Sequence, residues 1–293
     1  MEFRQLEYFV SLAQTGTFSE AAERVHVSQP ALSQQIQKLE DELGAPLVER
    51  MGKSIKLTEN GEKFLPEAME VLDSVRAAEN VVNAGNTSLE GTLKLGVIPT
   101  IAPYALPPLI NRLEPGLNEL NIHIEEQQTE TLLDQLKIGT VDHILLSPPF
   151  PEEGLQVERL GREPFYLAVH QDEPITEEET IATEDITDEP ILLLEEGHCL
   201  RDQTLSFCQN QNVQPNVVFQ GSNLQSILNL IETGFGYTFV PEMVVDNVGR
   251  SELEFIPFEE PKPERAIVLA RRQSTELTDL DRHLYNLIEN WFG

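Results

Sequence analysis

FSEAAERVHVSQPALSQQIQKLEDELG, residues 18–44, sets two helix signatures around one tight turn. Thr17 stands just before it and Glu20 three positions on, the spacing of a capping box, with the hydroxyl capping the first amides and the carboxylate reaching back. Phe18, Ala21, Ala22 and Val25 recur at i, i+3, i+4 and i+7, one apolar stripe. His26-Val27 makes a short break. Ser28 can cap the next helix, and Pro30 is tolerated in its first turn. Leu32, Ile36, Leu39 and Leu43 form the buried stripe of that helix, and Gly44 closes it. Two short helices joined this closely predict a helix-turn-helix.

The other face of the second helix carries Gln29, Ser33, Gln34 and Gln37, with Ser28 and Pro30 at its start. Such side chains donate and accept hydrogen bonds at base edges, and glutamine suits adenine in the major groove. LVERMGKSIKLTENG, residues 47–61, then reads as a small hairpin that offers Arg50, Lys53 and Lys56 to phosphates. A polar solvated face followed by an ordinary loop explains either piece alone. Cap, stripe, turn, polar helix and basic hairpin in one run favour DNA.

A long helical run extends from Thr58 to about residue 86. Phe64, Ala68, Val71, Val75, Ala78 and Val82 alternate steps of four and three, a heptad seam that invites a second copy of the chain. A dimer implies paired half-sites on the DNA. AGNTSLEG, residues 84–91, reads as a hinge. From Thr92 the pattern becomes α/β. Strands are expected at 92–98, 121–127, 143–147, 165–170, 191–194, 217–220, 237–240 and 267–270, and helices at 103–114, 129–138, 200–210 and 276–292. Alternating strands and helices favour parallel sheets, and the length suggests two subdomains with a cleft between them.

The 293 residues are 40% hydrophobic, enough for two or three domains. Neither a secretory signal nor a bilayer-length apolar run is visible, so a cytoplasmic location is expected, where thiols stay reduced. Fifty acidic residues face 20 basic ones, a net charge of −30. Residues 1–66 hold 7 Lys/Arg and 10 Asp/Glu; residues 67–293 hold the other 13 and 40, so the acidity lies mainly outside the helix-turn-helix. Screening over ~8–10 Å lets the basic hairpin act locally despite that excess. The run TEEETIATEDITDE, 176–189, is expected to be a solvated acidic loop.

FSEAAERVHVSQPALSQQIQKLEDELGAPLVER resembles the DNA-binding signature of LysR-type transcriptional regulators, and GVIPTIAPYALP (96–107) and EEGHCLRDQTLSFC (195–208) resemble their peroxide-sensing members. The resemblance implies a winged helix-turn-helix at 1–58, a linker and dimerisation helix with a hinge at 59–90, and a two-lobed α/β effector domain of periplasmic-binding-protein type at 91–293. It implies an activator, a homodimer or homotetramer and not an enzyme, that binds promoter DNA and RNA polymerase. Hydrogen peroxide would join Cys199 to Cys208, and cellular thiol reductants would reverse it; no cofactor or metal is implied. Thr100 and Thr129 would hold peroxide with His198, and Arg265 would supply a cation behind the Cys199 thiol. Against the family pattern, the DNA-binding segment is less basic than usual, and Asn223-Leu224 stands where small polar residues are customary.

The spacing gives that pairing a physical consequence. Nine residues of helix separate the cysteines by roughly 13 Å and turn them to opposite faces, whereas a disulfide needs Cα atoms about 4.4–6.8 Å apart. The bond would have to unwind the segment. A helix N-terminus with His198 and Arg201 beside Cys199 would favour its thiolate, and Asp202 could bond either of those cations. Each cysteine alone would be read as a small apolar core residue. A metal site at His198, Cys199 and Cys208 lacks a partner set, and His26, His123, His143, His170 and His283 are scattered. The competing functions are a LysR-type regulator of a small organic effector, a thiol peroxidase and a solute-binding protein; the last two leave the helix-turn-helix without use. Seven lysines against 50 acids suggest adaptation to a salty interior. The melting temperature should then climb as salt is raised, and equal stability in dilute buffer and high salt would contradict this.

Overall fold

The first helix of the chain is one that these signals do not announce. In the structure, a computed structural model that describes residues 1–83, 91–113, 120–247, 249, 252–273, 277 and 279–292, α1 (Phe3–Thr15) precedes the expected pair. It lacks a Ser, Thr or Asp cap; instead the Gln5 side chain accepts from Glu2 N at 2.8 Å. Next, α2 (Phe18–Arg24) starts at Thr17, whose Oγ1 accepts from Glu20 N at 3.2 Å. The carboxylate half of the expected box is not among the described hydrogen bonds. His26 takes φ 55° at the turn. Ser28 Oγ then caps α3 (Gln29–Leu43) through Ala31 N, and Gly44 ends it at φ 70°. The wing is antiparallel, β1 (Val48–Met51) on β2 (Ser54–Leu57), with Lys56 opposite Glu49.

The heptad reading of the next helix needs correction. In α4 (Glu59–Asn83), Ala68 is buried and Phe64 packs on Phe9 of α1, ring centroids 5.4 Å apart. Leu65, Met69 and Leu72 join the same N-terminal core. The first half of the seam is therefore covered by its own domain, because α1 lies on it. Val71 and Ala78 remain exposed and Val75 half-buried. The Val82 side chain and hinge residues 84–90 lie outside the described residues.

The effector region begins with β3 (Gly91–Val97), α5 (Ala102–Leu113), β4 (Leu120–Glu126), α6 (Thr129–Ile138) and β5 (His143–Leu146). It continues with β6 (Leu155–His170), β7 (Pro190–Leu194), α7 (Cys199–Asn210), β8 (Asn216–Gly221), α8 (Leu224–Ile231), β9 (Thr238–Pro241) and α9 (Glu242–Asn247). It closes with β10 (Leu253–Pro257), β11 (Glu264–Arg272) and α10 (Asp279–Phe292). The expected parallel pairing holds only for β3 with β4 and β5, and for β7 with β8. The main sheet, ordered β10-β6-β11-β5-β3-β4 with β9 on β6, is otherwise antiparallel. Long β6 and β11 run through it and join two lobes, each with its own apolar core. Leu95, Ile144 and Val268 lie in the first, and Leu192, Ile227 and Phe239 in the second. The acidic run 176–189 is not simply solvated, since Ile181 and Ile186 anchor it in the second core.

The helix-turn-helix unit docks on the first lobe. Gln14 Nε2 donates to Ile138 O and Gly139 O at 2.8 and 3.0 Å. Arg272, at the end of β11, meets Asp73 of α4 at 3.5 Å and Asp142 at 3.7 Å. Among the described residues, no helix is long and apolar enough to cross a membrane.

Candidate functional site

Helix α7 starts at Cys199 and reaches Asn210, so both cysteines lie in it as free thiols. They are seated in different cores. Cys199 packs with the first lobe, whereas Cys208 packs with the second and has no exposed surface. Other side chains of α7 divide in the same way. Gln203 Nε2 reaches Ser147 Oγ at 2.7 Å and also the Pro148 carbonyl, both in the first lobe. Phe207 meets the rings of Phe239 and Phe258 edge-on at 6.3 and 5.9 Å in the second. Gln203 lies inside the GHCLRDQ motif but carried no role in the sequence reading, and the phenylalanine cluster left no local signal.

Around Cys199 the structure gathers most of the expected groups. Arg265 is buried behind it, and its Nη1 donates to Thr100 Oγ1 at 2.9 Å. Thr100 stands between Arg265 and Cys199, where its hydroxyl favours the thiolate. His198, the residue before α7, faces Gln128 with Nε2 3.2 Å from the amide nitrogen. Gln128 directly precedes Thr129 at the start of α6. The Thr129 hydroxyl is buried and has no protein partner. An orphaned buried hydroxyl carries a desolvation cost of about 1–3 kcal/mol unless a guest bonds it. Gln128 was missed by sequence reasoning, which had no means of placing the start of α6 against that of α7.

Two expected partners are not there. Arg201 turns away from Cys199 to Gln220 Oε1 at 2.8 Å and Leu194 O at 3.4 Å. Asp202 is exposed, and the described hydrogen bonds join it to neither His198 nor Arg201. His198 supplies no cation either. Burial pushes its pKa down, with the Glu195 carboxylate and the Ser222 backbone opposing, so the ring is neutral near pH 7. Its Nδ1–H can then donate to Ser222 while Nε2 accepts from Gln128.

The cation beside the sulfur is Arg265. Even so, burial pushes the Cys199 thiol up; Arg265, the Leu200 amide and the Thr100 hydroxyl only partly offset this. The reduced site therefore rests mainly as thiol, with a thiolate fraction set by Arg265 and Thr100. Burial pushes Cys208 up to about 11. Among the described residues, no three His, Cys, Asp or Glu side chains gather as a metal site.

At the other end of the chain, Ser28, Gln29, Pro30, Gln34 and Gln37 are exposed on α3 and Ser33 is half-buried. Gln37 Nε2 donates to Asp41 at 3.1 Å. Arg50 is held by the protein itself: it donates to Ser33 Oγ at 2.6 Å and lies over the Phe18 ring at 4.4 Å. It ties wing to helix, while Lys53 and Lys56 are exposed.

Residues 3–62 match the family model for bacterial regulatory helix-turn-helix proteins of the lysR family, and residues 86–293 match the LysR substrate binding domain. The chain belongs to the LysR family. Among LysR relatives, the DNA-binding transcriptional dual regulator OxyR of Escherichia coli is 36% identical over 278 residues, 94% of this chain and 91% of that protein. The hydrogen peroxide-inducible genes activator of Dickeya chrysanthemi shows the same identity and coverage. Full-length OxyR from Pseudomonas aeruginosa, solved as a cysteine-to-aspartate variant, superposes with a TM-score of 0.87 at 36% identity, covering 98% of this chain and 94% of that one. A hydrogen-peroxide-bound cysteine mutant of Corynebacterium glutamicum OxyR gives 0.67 at 30% identity, covering 99% and 92%.

The Cys208 environment makes a stability prediction. The fold holds this thiol protonated to about pH 11, while the unfolded chain ionises it near 9. Its contribution is complete below pH 9 and is lost as pH climbs towards 11, by about 2 kcal/mol. A Cys208→Ala variant should melt lower at neutral pH yet lose less stability between pH 9 and 11. Parallel curves for the two proteins would contradict this.

Proposed function

We propose that this chain is a cytoplasmic DNA-binding transcriptional regulator that senses hydrogen peroxide through Cys199 and Cys208. The observation that carries the reading is the seating of one free thiol of α7 in each lobe core, beside a buried cluster of Thr100, Thr129, His198 and Arg265. Residues 1–58 act as the winged helix-turn-helix, 59–90 as linker and dimerisation segment, and 91–293 as the redox-sensing effector domain. The unit works as a homodimer or homotetramer with RNA polymerase as its further partner, and it is a regulator rather than an enzyme.

The chemistry balances as two steps. The Cys199 thiolate attacks one peroxide oxygen, forms an S–O bond, breaks the O–O bond and releases hydroxide, giving the sulfenic acid. Hydroxyl donors at Thr100 and Thr129 align the peroxide, and Arg265 stabilises the departing negative charge. The Cys208 thiol then forms the S–S bond, and the sulfenic hydroxyl leaves as water. Helical geometry sets the two cysteines roughly 13 Å apart along the helix axis and on opposite faces, so the second step requires α7 to unwind.

Withdrawing the half-buried Phe207 and the small Cys208 side chain from the second core costs about 1.5–3 kcal/mol. That strain raises the potential of the disulfide by roughly 30–65 mV and moves it toward the reach of cellular thiol reductants. Refolding changes the surface of the effector domain and so the spacing of the DNA-binding units. On DNA, Ser28, Gln29, Pro30, Ser33, Gln34 and Gln37 face the major groove, Lys53 and Lys56 meet phosphates, and Arg50 braces the wing against α3 while contributing charge.

A promoter footprint taken in the reduced and the peroxide-treated protein, with thiol state read by mass spectrometry, tests this. The footprint should change as one equivalent of peroxide removes both thiols. Two free thiols after stoichiometric peroxide would instead favour an organic effector. Cys199→Ser should abolish the change, and Cys208→Ser should accumulate the sulfenic acid. Arg50→Ala should weaken binding to every sequence and flatten its salt dependence by about one unit of slope; an unchanged slope would remove Arg50 from the charge contacts.

A further inference from the structure

One buried carboxylate near the thiol has no part in the scheme above. Glu163 lies on β6 directly opposite Arg265 of β11 in the antiparallel ladder. Its two oxygens hold different elements. Oε1 accepts from Arg265 Nε at 2.6 Å, and Oε2 accepts from the Met243 backbone N–H of α9 at 3.1 Å. The Arg265 side chain is fully buried and the Glu163 side chain nearly so. The rest of the guanidinium is shared between α9 and the sensing cluster: Nη1 donates to Thr100 Oγ1 at 2.9 Å, and Nη2 to Thr100 O at 3.2 Å and to Met243 Sδ at 3.4 Å.

We propose that Glu163 is a positioning residue for the peroxide reaction, fixing the Arg265 fork so that Thr100 is held as a hydrogen-bond donor toward a peroxide molecule at Cys199. Thr100 has one hydrogen to give. Because its oxygen already accepts from Arg265, that hydrogen is turned away from the guanidinium and toward the side on which peroxide meets the sulfur. Arg265 can enforce this only if its own rotation is stopped, and the bond from Nε to Glu163 stops it. Held on its far side by α9, the carboxylate cannot swing with the arginine.

The same residue has an opposing electrostatic effect, which makes the proposal separable from a simple charge account. Its negative charge damps the pull of Arg265 on the Cys199 thiolate. If charge were its only influence, removing it would speed every reaction of Cys199. If it positions, peroxide reactivity falls while reactivity toward a small alkylating reagent, which needs no aligned donors, does not fall with it.

This inference rests on the peroxide reading of the site. The test uses full-length protein in a Cys208→Ser background, comparing Glu163→Asp and Glu163→Gln with the Glu163 parent. The second-order constant for hydrogen peroxide and that for iodoacetamide are measured at Cys199 across pH. Glu163→Asp keeps the charge but is too short to hold Arg265 and Met243 together. Its peroxide-to-alkylation ratio should fall at least fivefold with the pH midpoint of alkylation little moved. Glu163→Gln should show the same fall in ratio with that midpoint shifted down. A ratio for Glu163→Asp within twofold of the parent overturns the proposal; should that variant not fold, the ratio for Glu163→Gln decides in the same way. A parent whose Cys199 reacts with peroxide no faster than a free thiol would instead remove the peroxide reading itself, and the inference with it.

Discussion

The molecule is organised by one steric constraint: a single helix seats one sulfur in each of two hydrophobic cores. Cys199 belongs to the lobe built on β3, β5 and β11, and Cys208 to the lobe built on β7, β9 and α8. Neither thiol can approach the other while α7 stays wound. Bonding of the sulfurs is thereby coupled to the packing of two lobes, since one of them must give up its anchor. Phe207, set among Phe239 and Phe258, makes the Cys208 end the more deeply held. The energy that a covalent bond can impose on the fold is stored in those contacts.

Electrostatics refine this arrangement without directing it. Burial raises both thiols, so the resting protein is not a store of thiolate. What distinguishes Cys199 is a built neighbourhood of Arg265, Thr100 and an unbonded Thr129 hydroxyl, next to a histidine kept neutral by burial. Cys208 is set in the apolar core of the second lobe. The difference between the two cysteines is one of surroundings, since both sit in the same helix. The large acidic excess lies in the part of the chain that carries this chemistry, while the helix-turn-helix segment is close to neutral. That separation leaves a DNA-facing surface usable in a chain of charge −30.

Local signals were the legible ones. Thr17, Ser28 and Gly44 act on amides within a few residues of themselves, so the helix-turn-helix could be read from sequence spacing. The heptad seam misled because α1, which lacks a Ser, Thr or Asp cap, covers Phe64 and Ala68 from outside the stretch that was read. Gly161 and Pro164 interrupt the first half of β6, which hid a strand that crosses both lobes. Glu163 lies in the part of β6 before residue 165 that was not expected, so its pairing with Arg265, 102 residues away, was invisible. Thr100, Thr129, His198 and Arg265 were named through the family resemblance, not through spacing. Arg201 and Asp202 looked equally suited from their place beside Cys199, and only the direction of the helix shows that they face elsewhere.

The most direct measurement is backbone hydrogen exchange across residues 199–210 in the reduced and the peroxide-oxidised protein. The account predicts strong protection in the reduced form and its loss through most of the segment once Cys199 and Cys208 are joined. Equal protection in a sample whose disulfide is verified by mass spectrometry would mean that the helix survives the bond, and the steric constraint on which the account depends would be wrong.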